Sequence, residues 1–184
     1  MMTGEDSRVN LKIFFQKVFL KTITNIEGKM NEQKLTGAGI ICYIDNTEGL
    51  IEELEKDYLF LTLEDKNNQY DFPKGGLNAN ESILDCAKRE AYEEVNITSL
   101  NIDRFLIDRL DKAHICGSGL VLFLAKLDIH SIESIEIKFN YEIDSYEHKQ
   151  EFFYLTKEEA LKKLPSYLNK SLDWAYNIIK KSEI

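Results

Sequence analysis

From Leu35 onward the apolar positions fall into short runs: Leu35–Ile44, Tyr58–Leu63, Ile102–Arg109, Gly119–Leu127, Ile135–Phe139 and Glu151–Leu155, each bounded by polar turn residues. Runs of this length and composition predict strands. Between the second and third, Ile83, Leu84, Ala87, Ala91 and Val95 recur at helical spacing and predict a helix over 81–95. A second helical region is expected over Lys157–Lys181, broken at Pro165. Its stripe of Leu161, Leu164, Leu168, Leu172, Ala175 and Ile179, with Trp174, reads as core. Asn46–Asp57 reads as a polar, acidic loop or short helix, with Glu52, Glu53 and Glu55 on a solvated face. Strand runs alternating with helical ones predict an α/β fold, a mixed sheet with helices packed on it.

The N-terminal stretch is different. Val9 to Ile26 is rich in Phe and Ile, but on a helical wheel its lysines scatter instead of forming one polar face. The first 30 residues carry five basic and three acidic side chains, leaving 18 basic against 29 acidic beyond them. This charge boundary near Met30 predicts an N-terminal extension over 1–30 and one domain over 31–184. The extension is expected to add an element to the core or to serve as an arm.

Composition narrows the function classes. With 43% hydrophobic residues, 184 residues bury one full core, which excludes a disordered or collagen-like chain. A net charge of −9 argues against a long nucleic acid as partner. Apolar runs such as Leu120–Leu124 fall far short of the roughly 18 to 20 residues that span a bilayer, so no membrane partner is expected. Cys42, Cys86 and Cys116 form no CxxC pair, so neither a disulfide framework nor a thiolate zinc site is expected. With Glu5 and Asp6 near the start and no secretory pattern, the expected location is cytoplasmic. The three histidines are dispersed and form no ligand pattern.

The chemistry concentrates in Pro73-Lys74-Gly75-Gly76 and in Arg89-Glu90-Ala91-Tyr92-Glu93-Glu94. At about 100° per residue, Glu94 lies about 40° from Glu90 and Glu93 about 60° to its other side, so three carboxylates share one arc. Clustered acids repel one another unless a positive charge compensates them, and oxygen donors select a hard cation such as Mg²⁺ or Mn²⁺. Read as a turn, Lys74-Gly75-Gly76 brings main chain close to that cation, and Lys74 adds charge beside it. Glu81 and Arg89 bracket the helix as a candidate ion pair.

The pattern Gly75, five residues, Glu81, seven residues, Arg89-Glu90-Ala91, one residue, Glu93-Glu94, one residue, Asn96-Ile97 resembles the Nudix box over its full span. Asn96 stands where the family has glycine after the two glutamates, at a helix end where asparagine tolerates the left-handed conformation. Asn80 stands where many members have glycine, and is expected to cap the helix N-terminus. The resemblance implies a Nudix-type α/β/α sandwich with a central mixed β-sheet. It further implies Mg²⁺- or Mn²⁺-dependent hydrolysis of a nucleoside diphosphate linked to another group. By that resemblance Glu90, Glu93 and Glu94 hold the metal, Gly75 contributes to its site, and Arg89 belongs to the catalytic set, with the general base left open.

For the substrate, Pro73-Lys74-Gly75 resembles the opening shared by asymmetrical diadenosine tetraphosphate hydrolases, mRNA decapping enzymes and, in part, diphosphoinositol-type relatives. Glu147-His148-Lys149-Gln150-Glu151-Phe152 is similar to the Glu-His-Gln stretch of the first group, with Lys149 inserted and Tyr154 in place of its usual Trp. By this likeness Glu147 or Glu151 is an additional metal ligand or base. Lys74, Gly75, Gly76 and Lys112 are the candidate substrate contacts. Tyr43, Tyr70, Phe72, Phe105 and His114 are candidates to stack on a base, against the competing reading that each packs in the core. The expected activity is a pyrophosphohydrolase that converts diadenosine tetraphosphate to ATP and AMP, its partner a small nucleotide polyphosphate. Alternatives are mRNA decapping or RNA 5′-end hydrolysis, a diphosphoinositol polyphosphate phosphohydrolase, and a catalytically silent nucleotide sensor. Capped RNA stays open as a substrate, as does the oligomeric state.

Overall fold

The computed structural model describes residues 34–52, 54–64, 67–98, 102–103, 113–117, 119–128 and 151–182. Lys34 apart, these belong to one compact unit, Leu35–Ile184. The strands are β1 (Gly37–Asp45), β2 (Tyr58–Glu64), β3 (Tyr70–Asp71), β4 (Lys74–Gly76), β5 (Ile102–Asp103), β6 (Ala113–Ile115), β7 (Leu120–Leu127) and β8 (Glu151–Leu155). The helices are α1 (Ile83–Val95), α2 (Lys157–Lys163) and α3 (Asn169–Ser182), with a 3₁₀ turn at Ser166–Leu168. Among the described residues no helix is long and apolar enough to cross a membrane.

The strands form one mixed sheet with a path β3-β2-β1-β7-β5, on which β4 pairs with β1, β6 with β7 and β8 with β2. β1 and β7 run parallel, from Gly37 opposite Leu120 to Tyr43 opposite Lys126, and the other described pairs are antiparallel. β1 carries no charged side chain before Asp45 because both its faces are covered, and alternation sends its side chains to two cores. Ala38, Ile40, Cys42 and Ile44 pack with Cys86, Ala87, Ala91 and Val95 of α1. Ile41 and Tyr43 pack on the other side with Leu164, Leu168, Leu172, Ala175 and Ile179 of the C-terminal helices. The result is an α/β/α sandwich about a mixed sheet, as the resemblance implies.

The expected C-terminal stripe packs as core, with Trp174 partly buried against it. The region breaks at Pro165, where α2 gives way to the 3₁₀ turn. Asn46–Asp57 is a loop organised by its first residue. The fully buried Asn46 donates from Nδ2 to the carbonyls of Ile51, Leu54 and Glu55 and accepts at Oδ1 from the Ile51 N–H. Of the expected strand Ile102–Arg109, Ile102–Asp103 is observed and the rest lies outside the described residues, as does Ile135–Phe139.

Two local readings need correction. Lys74-Gly75-Gly76 is a strand and not a turn, paired antiparallel to β1 with Gly37 opposite Gly76 and Gly39 opposite Lys74. Three residues are too few to display a period, so only the tertiary partner reveals them as β. Asn80 does not cap α1. It takes a positive φ of 65°, the conformation that suits the glycine of many relatives, while Ser82 is the cap and accepts the Asp85 N–H. Asn96 at the other end adopts φ 52°, ψ 26°, and its N–H closes the helix on Ala91 and Tyr92 carbonyls, the left-handed cap expected of it.

Candidate active site

α1 lies across β1 and β4 and aims Glu90 at the strand. By alternation Gly75 faces α1, whereas Lys74 and Gly76 face the C-terminal helices. A Cβ on Gly75 would stand inside the Glu90 carboxylate, so the absence of a side chain is what lets helix and strand approach.

Arg89 organises the acids around it. Nε and Nη2 donate to Glu81 Oε1 and Oε2 at 2.8 and 3.0 Å, a bidentate pair that ties the start of the box to its helix. Nη1 donates to Glu90 Oε1 at 2.7 Å and to Glu93 Oε2 at 2.9 Å, and Nη2 also reaches the Gly76 carbonyl at 2.9 Å. One guanidinium therefore links Glu81, Glu90, Glu93 and β4. Its hydrogen bonds to Glu81 draw that carboxyl down to about 2, and the same partners, Glu81 first and then Glu90, hold Arg89 above its ordinary range.

Glu94 is bound from the strand side, where its Oε2 accepts the Lys74 N–H at 2.8 Å. Burial pushes its carboxyl up to about 7, with the Lys74 N–H opposing the rise and the neighbouring Glu90 adding to it. The Lys74 ammonium pairs with Asp71 at 2.6 Å. Burial works against its charge, but Asp71 outweighs burial and the ammonium is held above its usual range.

The structure thus brings together Glu90, Glu93, Glu94, Arg89, Lys74, Gly75 and Gly76, seven residues singled out from the sequence. The expected Glu81–Arg89 ion pair is present. Glu147 and Lys112 lie outside the described residues, and Glu151 is described only as backbone, opposite Glu64 at the start of β8. Among the described residues no three acidic, His or Cys side chains stand already arranged around a common point. One oxygen of each glutamate is already held, Glu90 Oε1 and Glu93 Oε2 by Arg89 Nη1 and Glu94 Oε2 by the Lys74 N–H. The donor set still fits a hard divalent cation, because the ligand types are all oxygen and one carboxylate is buried beside another.

The aromatic candidates divide. Tyr43, Tyr70 and Phe72 are buried in the core and offer no face to a ligand. His114 is held at Nδ1, 3.0 Å from Ser171 Oγ, with its ring 5.7 Å from Trp174, and Phe105 lies outside the described residues. Tyr167 is a further aromatic at the site, one that the residue pattern does not single out. It is half exposed and lines a cavity of about 340 Å³ with Thr36, Gly37, Lys74, Gly75, Gly76 and Leu120. Its one sequence signal is its place just after Pro165, where the amphipathic stripe is interrupted.

Residues 36–116, which include Lys74, Gly75, Gly76, Glu81, Arg89, Glu90, Glu93 and Glu94, match the NUDIX domain family. The chain carries a NUDIX domain. Solved structures agree with it in fold. The crystal structure of a C. elegans Ap4A hydrolase binary complex aligns at 18% identity over 79% of this chain and 98% of that one, with a TM-score of 0.53. A second C. elegans Ap4A hydrolase structure aligns at 20% identity over the same shares, with a TM-score of 0.51. A mutT/nudix family protein from Listeria innocua aligns at 16% identity over 82% of this chain and 98% of that one, with a TM-score of 0.54. Among curated proteins, none matches the sequence.

Proposed function

We propose that this NUDIX protein is a Mg²⁺- or Mn²⁺-dependent pyrophosphohydrolase acting on a nucleoside polyphosphate, with diadenosine tetraphosphate, split to ATP and AMP, as the favoured substrate. The observation that carries the reading is the box itself. Glu90 and Glu93 both accept from Arg89, Glu94 accepts the Lys74 N–H of the adjoining strand, and every acid of the motif is retained, which argues against a silent sensor. The fold shared with the C. elegans Ap4A hydrolase structures supports the dinucleotide over the alternatives. The domain of this activity is taken as 31–184.

Glu90, Glu93 and Glu94 would hold the cation, with Gly75 and the late glutamates Glu147 and Glu151 as further candidates. The cation would neutralise the polyphosphate and polarise the anhydride under attack by water. Arg89 fixes the rotamers of Glu90 and Glu93, so the acids are positioned before substrate arrives. Lys74 places a charge on the far face of the same strand, where the rest of the polyphosphate can reach it.

The test is product analysis by ion-exchange chromatography. The full chain is incubated with Mg²⁺ and, separately, diadenosine tetraphosphate, capped RNA, a diphosphoinositol phosphate and nucleoside triphosphates. ATP and AMP in equal amounts from the dinucleotide, at a rate far above the others, is the expected result. Preferred turnover of another compound overturns the substrate, and turnover of none overturns the enzyme. Glu93→Gln or Glu94→Gln is expected to lower the maximal rate by at least about 100-fold.

A further inference from the structure

Lys74 alone is charged among the described residues that line the cavity of about 340 Å³, and its charge is not bare. Its ammonium meets Asp71 Oδ2 at 2.6 Å and is also within hydrogen-bonding reach of the Tyr167 hydroxyl. Two of its three N–H donors are thereby engaged, which leaves one for a phosphate oxygen. Asp71 also stands near enough to Glu94 for the two carboxylates to repel one another, so it lies between the cavity and the acids of α1.

Nothing in the fold asks for aspartate at position 71. It lies in the two-residue strand β3, opposite Leu63, where aspartate is among the less favoured residues. Its side chain is 34% exposed, so burial does not select it, and its Oδ1 accepts only the N–H of the next residue, Phe72. An ion pair this open to water adds little stability. A lysine placed simply to attract phosphate would do so better with no carboxylate against it. What the pair changes is net charge: the wall offers the phosphate an N–H donor with close to no net charge behind it. Phosphates differ in how they meet such a wall. One bridged on both sides carries a single negative charge, whereas a terminal one carries close to two above pH 7. A phosphate oxygen that accepts from Lys74 would lie about 4 Å from Asp71 Oδ2, as two acceptors of one ammonium do. At that distance the second charge weakens binding about 5-fold even at the dielectric constant of water, and more in a cleft.

We propose that Asp71 is a specificity-determining residue: by neutralising Lys74 it makes the cavity wall select polyphosphates bridged at both ends over those with a free terminal phosphate. This rests on the pyrophosphohydrolase reading and narrows it to substrates whose polyphosphate carries an organic group at each end. Lys74 donates to a bridging phosphate, and Asp71 repels the extra charge of a terminal one.

The experiment measures binding of AMP and of its phosphate methyl ester to the full chain by calorimetry at about pH 8, without divalent cation. The two share base, sugar and phosphorus and differ by one negative charge, and neither contains an anhydride. The readout is the ratio of the two affinities. Asp71→Asn is expected to move that ratio toward AMP by at least about 5-fold, and Asp71→Glu to keep the wild-type ratio. The Asp71→Asn shift is expected to shrink as NaCl is raised from about 0.05 to about 0.5 M. Should Asp71→Asn fail to fold, Asp71→Ser reads the same loss of charge. In assays of the hydrolysed dinucleotide, ATP as a competing inhibitor is expected to gain at least about 5-fold in potency in Asp71→Asn. A ratio that Asp71→Asn leaves unchanged overturns the proposal, as does binding of neither probe. So does a variant in which both affinities change by one factor, since a residue that merely orients Lys74 acts alike on both probes. A ratio that shifts as expected in a protein that hydrolyses no polyphosphate overturns the enzyme reading and leaves the charge selection standing.

Discussion

The contact between Gly75 and Glu90 is among the tightest of the described residues, and Gly75→Ala probes it with one methyl group. The added Cβ would fall well inside van der Waals range of all three carboxyl atoms of Glu90, so restoring ordinary contact takes a shift of about 1 Å. Neither partner can yield freely. Glu90 is buried and held by Arg89, while β4 is paired to β1 at Lys74, Gly75 and Gly76. Overpacking of this kind costs about 1 to 3 kcal/mol. At about 2 to 4 °C per kcal/mol for a chain of this size, Tm should fall by roughly 2 to 12 °C. A 1 Å misplacement of a catalytic group costs about 100-fold in rate. Differential scanning fluorimetry and single-turnover kinetics read the two effects separately. Gly76→Ala, one residue away with open space for its Cβ, should leave Tm within about 2 °C. A Gly75→Ala protein with wild-type Tm and rate would refute the claim that Glu90 abuts the strand.

Other consequences are simpler to read. Glu81 titrates near 2 in the folded protein against an ordinary 4.5, so its contribution to stability is complete above pH about 4.5 and is lost as pH falls toward 2; Glu81→Gln should flatten the acid limb of a Tm-against-pH curve. Arg89→Lys cannot replace the fork that serves Glu81, Glu90 and Glu93 together, and at least a 10-fold fall in kcat is expected in steady-state assays, with Glu90 still present. Asn46→Ala strips three carbonyls and one N–H of their partner at a buried position, and thermal or urea unfolding should show a loss of about 1 to 3 kcal/mol with turnover per folded molecule unchanged. Mg²⁺ at about 100 times its Kd should stabilise the protein by about 2.7 kcal/mol, an increment that EDTA removes and that Glu93→Gln and Glu94→Gln diminish in a thermal shift assay.

Much of this was written locally in the chain. β1, β2, β7 and β8 appear near their observed bounds because each is a sustained apolar run, and α1 because its buried side chains repeat at helical spacing. The acids of the site are likewise legible, since a helix alone brings Glu90, Glu93 and Glu94 to one arc and fixes the reach of Arg89 to Glu93. The left-handed cap at Asn96 follows from local backbone energetics. Tertiary structure decided what depends on a distant partner. Lys74-Gly75-Gly76 becomes a strand only because β1 lies beside it, and Tyr43, Tyr70 and Phe72 leave the pool of ligand contacts only because helices and strands cover them. Tyr167, 91 positions from Gly76 in the sequence, comes to the same cavity because the C-terminal helices fold back over the sheet. Spacing along the chain encodes contacts within one element, whereas contacts between elements depend on how buried faces pair, and that pairing is set by the whole core at once.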